Sequence, residues 1–187
     1  ANIKSKNGLD EHLLSGLETN GVPKSLQGTV FPFRYNDYEE LEKIVDLHDI
    51  GVIKMEVIRN KGPENNFLEK VRELSSKKGI VLIFDECTSG FRESFGGIHK
   101  NFNIDPDIAM FGKALGNGYG VTAIVGRREV MEAAQNSFMS STFWTERIGP
   151  AAAIKTLEIM EDIKSWEQIS KTGKYIKEEW QKLFSKH

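Results

Sequence analysis

Ile80-Val81-Leu82-Ile83-Phe84 is an unbroken apolar run of strand length that ends on Asp85. A run with no polar alternation fits a strand buried on both faces, as in a parallel sheet. A second short strand is predicted over 107–111 and ends at Gly112-Lys113. Further strands are predicted at Gly51–Val57 and Val121–Val125, the latter turned by Gly126. Between the strands at 51–57 and 80–85, Phe67, Leu68, Val71 and Leu74 share one face of a helix expected over 65–77, with Gly79 as its C-cap. Strands alternating with helices specify βα units and a mainly parallel α/β sheet. Such sheets bind ligands beyond the carboxyl ends of their strands. Glu56, Asp85 and Lys113 all fall at or just past predicted strand ends.

The rest of the chain supplies weaker signals. Residues 1–27 read as a polar excursion with a short helix near Leu9–Leu14. Thr29-Val30-Phe31 reads as a short strand. Asn36 is the expected N-cap of a helix over 37–47, with Glu39 as its capping-box partner. A helix-loop is expected near 92–102 and a short helix at Arg128–Gln135. Gly149-Pro150 opens a long helix that runs to about Met160, with proline suited to a first turn. Residues 165–185 carry Trp166, Ile169, Tyr175, Ile176, Trp180, Leu183 and Phe184 among many Lys and Glu, an amphipathic docking face.

Composition narrows the class. The 187 residues are enough for one core. A net charge of −2 gives no electrostatic case for nucleic acid or an anionic membrane. No apolar run approaches the roughly 18–20 residues of a membrane span. The single cysteine excludes an internal disulfide and points to a reducing, cytoplasmic setting. The four histidines, His12, His48, His99 and His187, lack metal-ligand spacing. Gly116-Asn117-Gly118-Tyr119-Gly120 lacks the Lys-[Ser/Thr] ending of a P-loop, so it reads as a tight turn.

Several motifs occur in a fixed order. They are Phe33-Arg34-Tyr35-Asn36-Asp37, Met55-Glu56, Asp85-Glu86-Cys87-Thr88-Ser89-Gly90-Phe91-Arg92, Gly96-Gly97, Asp105-Pro106-Asp107-Ile108, and Gly112-Lys113-Ala114-Leu115-Gly116-Asn117-Gly118. At these residues the sequence resembles the class III (ω-amino acid) aminotransferases. Phe91-Arg92 and Lys155–Met160 look closest to the glutamate-1-semialdehyde 2,1-aminomutase-like branch. Val57 and Tyr119-Gly120 depart from the family, which has Pro and Leu-Pro there.

The resemblance implies a three-layer, mostly parallel sheet: the large domain of the fold type I pyridoxal 5′-phosphate (PLP) enzymes, here incomplete. Residues 1–164 would form part of that domain, and 165–187 a helix leading to a small domain. The family's phosphate-cradling turn and ring-stacking aromatic would precede this segment, so the segment alone is expected to be catalytically impaired. Lys113 would form an imine with PLP and then shuttle a proton; its amine must be partly neutral, which calls for burial. Asp85 would hold the pyridine nitrogen protonated. Cys87 would pack on the ring face, and Glu86 would buttress the site. Thr142 would bind the phosphate of a neighbouring subunit, beside the helix that starts near 149. Glu56 would lie at the cofactor site. The expected partners are a small-molecule amino donor, a keto or aldehyde acceptor, and a second copy in a homodimer with a shared active site. The alternative is a non-catalytic α/β binding or assembly module. It would have little need for both Asp85 and Lys113.

Overall fold

The computed structural model describes residues 20–26, 28–143 and 145–185. The helix expected near Leu9–Leu14, His12 and His187 lie outside them. Helix α1 (Tyr38–Leu47) is followed by strand β1 (Val52–Met55), helix α2 (Phe67–Lys78) and strand β2 (Val81–Asp85). Strands β3 (Ile108–Phe111) and β4 (Ala123–Gly126) come next, then helices α3 (Arg128–Met131), α4 (Ile148–Ile163) and α5 (Ser165–Phe184). The sheet order is β1-β2-β3-β4. The first three strands are parallel, as the βα pattern requires, and β4 joins antiparallel. No helix of the described residues is long and apolar enough to cross a membrane.

The pleat divides the sheet into two unlike faces. Ile53, Met55, Leu82, Phe84, Ala109 and Phe111 point to one side and are buried. Leu41 and Val45 of α1, and Phe67, Leu68, Val71 and Leu74 of α2, close over the β1–β2 half of that side. Ala153 and Leu157 of α4 pack near Phe111 and Leu115 over the β3 half. Leu82 and Phe84 are fully buried; each contributes about 1.5–3 kcal/mol by burial. The opposite face carries Val52, Lys54, Val81, Ile83, Asp85, Ile108, Met110 and Ile124, none of them buried. The described residues therefore supply two of the three expected layers.

Local chemistry explains most boundaries. Gly79 ends α2 at φ 69°, and its N–H and that of Ile80 close on the Ser75 and Ser76 carbonyls. Asp37, not Asn36, caps α1, accepting the Glu40 N–H at 3.0 Å. Asn36 is committed elsewhere. At φ 67° its amide donates to the Gly62 carbonyl and accepts from the Glu64 N–H, each at 3.0 Å. Residues Thr29–Phe31 form no strand; the Phe31 ring stacks on His48 with centroids 4.0 Å apart. Residues 128–136 split into α3 and a 3₁₀ turn over Glu132–Asn136. Lys164, at φ 48°, separates α4 from α5. Helix α5 buries none of its residues, and Trp180, Leu183 and Phe184 are exposed.

Candidate active site

Asp85 is the last residue of β2 and projects from the open face of the sheet. Its Oδ1 accepts the Cys87 N–H at 3.1 Å, and its Oδ2 accepts Lys54 Nζ at 2.7 Å. Partial burial pushes its carboxyl up, but the Lys54 ammonium and the Cys87 N–H outweigh it and hold the group below the usual carboxylate range. Asp85 is therefore ionised at neutral pH.

Lys113 begins a 3₁₀ turn directly after β3. Its φ of 42° is a left-handed conformation that a side chain disfavours, and such strain concentrates at functional sites. Nζ donates to Thr88 Oγ1 at 3.0 Å, which brings the amine over the turn that follows Asp85. Lys113 is exposed, not buried as imine chemistry led us to expect. The reason is architectural: it stands at the rim of the uncovered face.

Cys87 lies between the two. A Cβ on Gly112 would stand 3.4 Å from Cys87 Sγ, so the thiol packs against the residue preceding Lys113. Burial and the neighbouring Asp85 charge push the thiol pKa up, which suits packing and not nucleophilic attack. The glycine loop behind Lys113 is the tight turn the sequence suggests. A Cβ on Gly116 would come within 2.2 Å of the Tyr119 carbonyl oxygen.

Glu86 points away from this group and is fully buried. It accepts from the His99 N–H at 3.1 Å, from His99 Nδ1 at 2.8 Å, and from the Ser89 hydroxyl. Burial pushes its carboxyl up, yet these donors pull it below the usual range. The carboxylate thus ties the Ile98–Phe102 turn to the strand end that carries Asp85, the buttressing role its sequence context implies.

Two expected site residues lie apart. Glu56, just beyond β1, pairs with Arg59 at 3.5 Å. Thr142 occupies an exposed turn and makes no hydrogen bond to the Asp85 group among the described residues. The helix N-terminus near Thr142 is already occupied. Glu146 accepts the Gly149 N–H at 3.1 Å and the Ile148 N–H, so those donors are not free for a phosphate.

Sequence reasoning missed Lys54, Thr88 and the hub residue Asp107. Alternation within β1 places Lys54 on the open face, but only the strand register shows that it reaches Asp85.

The donor set fits PLP on chemical grounds. An ionised, partly exposed carboxylate and a primary amine flank one turn, with a small side chain between them.

Comparison with known proteins agrees. The profile of the Aminotransferase class-III family matches residues 53–187, and the chain belongs to that family. It is 38% identical over 172 residues to 3-aminobutyryl-CoA aminotransferase of Cloacimonas acidaminovorans, covering 87% of this chain and 42% of that protein. It is 36% identical to glutamate-1-semialdehyde 2,1-aminomutase of Sulfolobus acidocaldarius, covering 86% of this chain and 40% of that protein. The chain thus spans about two fifths of the length of these relatives. Among solved structures, the FumI protein of Sphingopyxis sp. MTA144, in its PLP internal aldimine form, superposes with a TM-score of 0.72. That match has 27% identity and covers 77% of this chain and 37% of that one. An ω-transaminase from Sphaerobacter thermophilus gives a TM-score of 0.69 at 25% identity, covering 75% of this chain and 35% of that one. These matches do not favour the binding- or assembly-module alternative.

Proposed function

We propose that this chain is part of the cofactor-holding domain of a PLP-dependent enzyme that transfers an amino group, as an aminotransferase or an aminomutase. The observation that carries this reading is the placement of Asp85 and Lys113 on either side of the Cys87-Thr88 turn. Bound PLP would supply an aldehyde and an electron-withdrawing ring. Asp85 would hold a proton at the ring nitrogen, Cys87 would fill space against the ring, and Lys113 Nζ would hold the cofactor and carry a proton at the substrate carbon. Glu56 would line the site from the β1 side. Thr142 would reach the phosphate of a second copy, which makes the enzyme a homodimer with shared sites. Its exposed turn supports that role. Residues through Lys164 would hold the cofactor, and Ser165–Phe184 would dock on the remainder of the enzyme. The substrates would be a small-molecule amino donor and a keto or aldehyde acceptor, in a cytoplasmic setting.

The test is an absorbance titration with PLP, followed by borohydride and peptide mapping. The expected result is a band near ~410–430 nm, with label fixed on Lys113 and lost in Lys113→Ala. Label scattered over surface lysines refutes the assignment.

A further inference from the structure

Among the described residues, Lys54 and Asp85 are the two charged side chains that the strands place on the otherwise apolar open face of the sheet. Lys54 pairs in register with Ile83, so Asp85 is its diagonal neighbour two residues along the adjacent strand. That spacing is within reach of a long side chain. The reach is realised, with Nζ 2.7 Å from Oδ2. An ionised carboxylate offers about four lone-pair sites. Lys54, the Cys87 N–H and the Cys87 thiol occupy three, and leave room for one further donor.

We propose that Lys54 is a positioning residue for the cofactor: it holds and aims Asp85, and by sharing that carboxylate it weakens the hold of Asp85 on the ring-nitrogen proton of bound PLP. The inference rests on the reading of Asp85 given above and deepens it. A pyridinium on Asp85 places a second positive charge beside the Lys54 ammonium, and like charges disfavour each other's protonated forms. Asp85 alone would act as a full counter-ion; Asp85 shared with Lys54 acts as a partial one. The pair is half-exposed on the lysine side, so Lys54 can adjust when a third group arrives. The titratable groups facing Asp85 are Lys54 from β1 and Cys87 from the turn after β2, with Lys113 acting on Cys87 from beyond β3.

The experiment compares the chain with Lys54→Met, which keeps side-chain length without charge, and Lys54→Arg, which keeps the charge. Without cofactor, the Asp85 carboxyl is titrated by ¹³C NMR and assigned with Asp85→Asn. The midpoint is expected to rise in Lys54→Met and to return in Lys54→Arg. With [¹⁵N]PLP bound, the ring nitrogen of Lys54→Met is expected to keep its proton to a pH about one unit higher than in the native chain. Equal carboxyl midpoints overturn the ion pair, equal ring-nitrogen midpoints overturn the tuning, and borohydride label on Lys54 overturns its positioning role. If neither protein takes up PLP while the carboxyl midpoints still differ, the failure lies in the cofactor reading, and this inference falls with it.

Discussion

Replacing Asp107 by alanine is expected to destabilise the chain by about 3 kcal/mol. Asp107 stands immediately before β3 and is buried. Its Oδ2 accepts the buried Leu82 N–H at 2.8 Å and Arg72 Nη1 of α2 at 3.0 Å. Its Oδ1 accepts Arg127 Nη1, beyond β4, at 3.1 Å. One carboxylate therefore ties three strands and a helix together. Its loss orphans the Leu82 amide, which costs about 1–3 kcal/mol. It also removes a largely buried charge-assisted bond to Arg72, about 1.5 kcal/mol. Arg127 is more than half exposed and adds only a few tenths. In a chain of this size the total corresponds to a fall in Tm of roughly 6–12 °C.

The pH dependence gives a second reading of the same residue. Burial pushes the Asp107 carboxyl up, but the Leu82 N–H and the two arginines outweigh it and hold the group below the usual range. A lowered folded-state value means the contribution is fully present above the unfolded value of about 3.9 and is lost as pH falls below it. The gap between the native and Asp107→Ala stability curves should therefore narrow in acid, while the part that comes from the Leu82 N–H, which a protonated carboxyl still accepts, remains. Urea unfolding followed by circular dichroism at pH 7 and pH 3 measures both quantities. A loss below about 1 kcal/mol at pH 7, or a gap that does not narrow at all in acid, refutes the argument.

Two further substitutions probe the ground around Asp85. Glu86→Gln should cost about 2 kcal/mol and speed amide exchange at Ile98 and His99, because the amide cannot satisfy His99 and Ser89 as the carboxylate does. The Glu86 carboxyl is held low in the fold, so its contribution is lost as pH falls below about 4.3, and that loss should vanish in the variant. Unchanged exchange protection would contradict the buttress. Gly116→Ala places a Cβ 2.2 Å from the Tyr119 carbonyl oxygen and 2.6 Å from Val121 Cγ1, so it should cost roughly 1–3 kcal/mol in a thermal melt and move NMR shifts around 112–121. A neutral melt would show that the loop is not packed as described.

The elements legible in the sequence are those specified by near neighbours. The apolar run at Ile80–Phe84, the Phe67-Leu68-Val71-Leu74 face closed by Gly79, and the amphipathic 165–185 segment each became the element their pattern specifies. Long-range partners decided what the sequence hid. Asn36 and Asp37 are both good caps, and the choice went to Asp37 because Asn36 bridges Gly62 and Glu64. Thr29–Phe31 has strand-forming residues but found a ring to stack on. The antiparallel entry of β4 has no local signature. At the candidate site, Asp85 and Lys113 were readable from strand ends and motif. Thr88 as the lysine's hydrogen-bond partner and Lys54 as the aspartate's both depend on how neighbouring segments align.

The open face of the sheet has a consequence for whatever comes to cover it. A uniformly apolar layer would gain by sealing over Val52, Ile83 and Ile124, but it would also strip water from Lys54 and Asp85. Stripping water from an ion pair costs several kcal/mol per ion unless other groups replace the lost hydration. The favoured cover is therefore one that closes over the apolar strip and leaves a wet notch above the carboxyl end of β2. The single charge pair acts as a keyway: it admits one alignment of the overlying layer and reserves a vestibule above Asp85 before any ligand arrives.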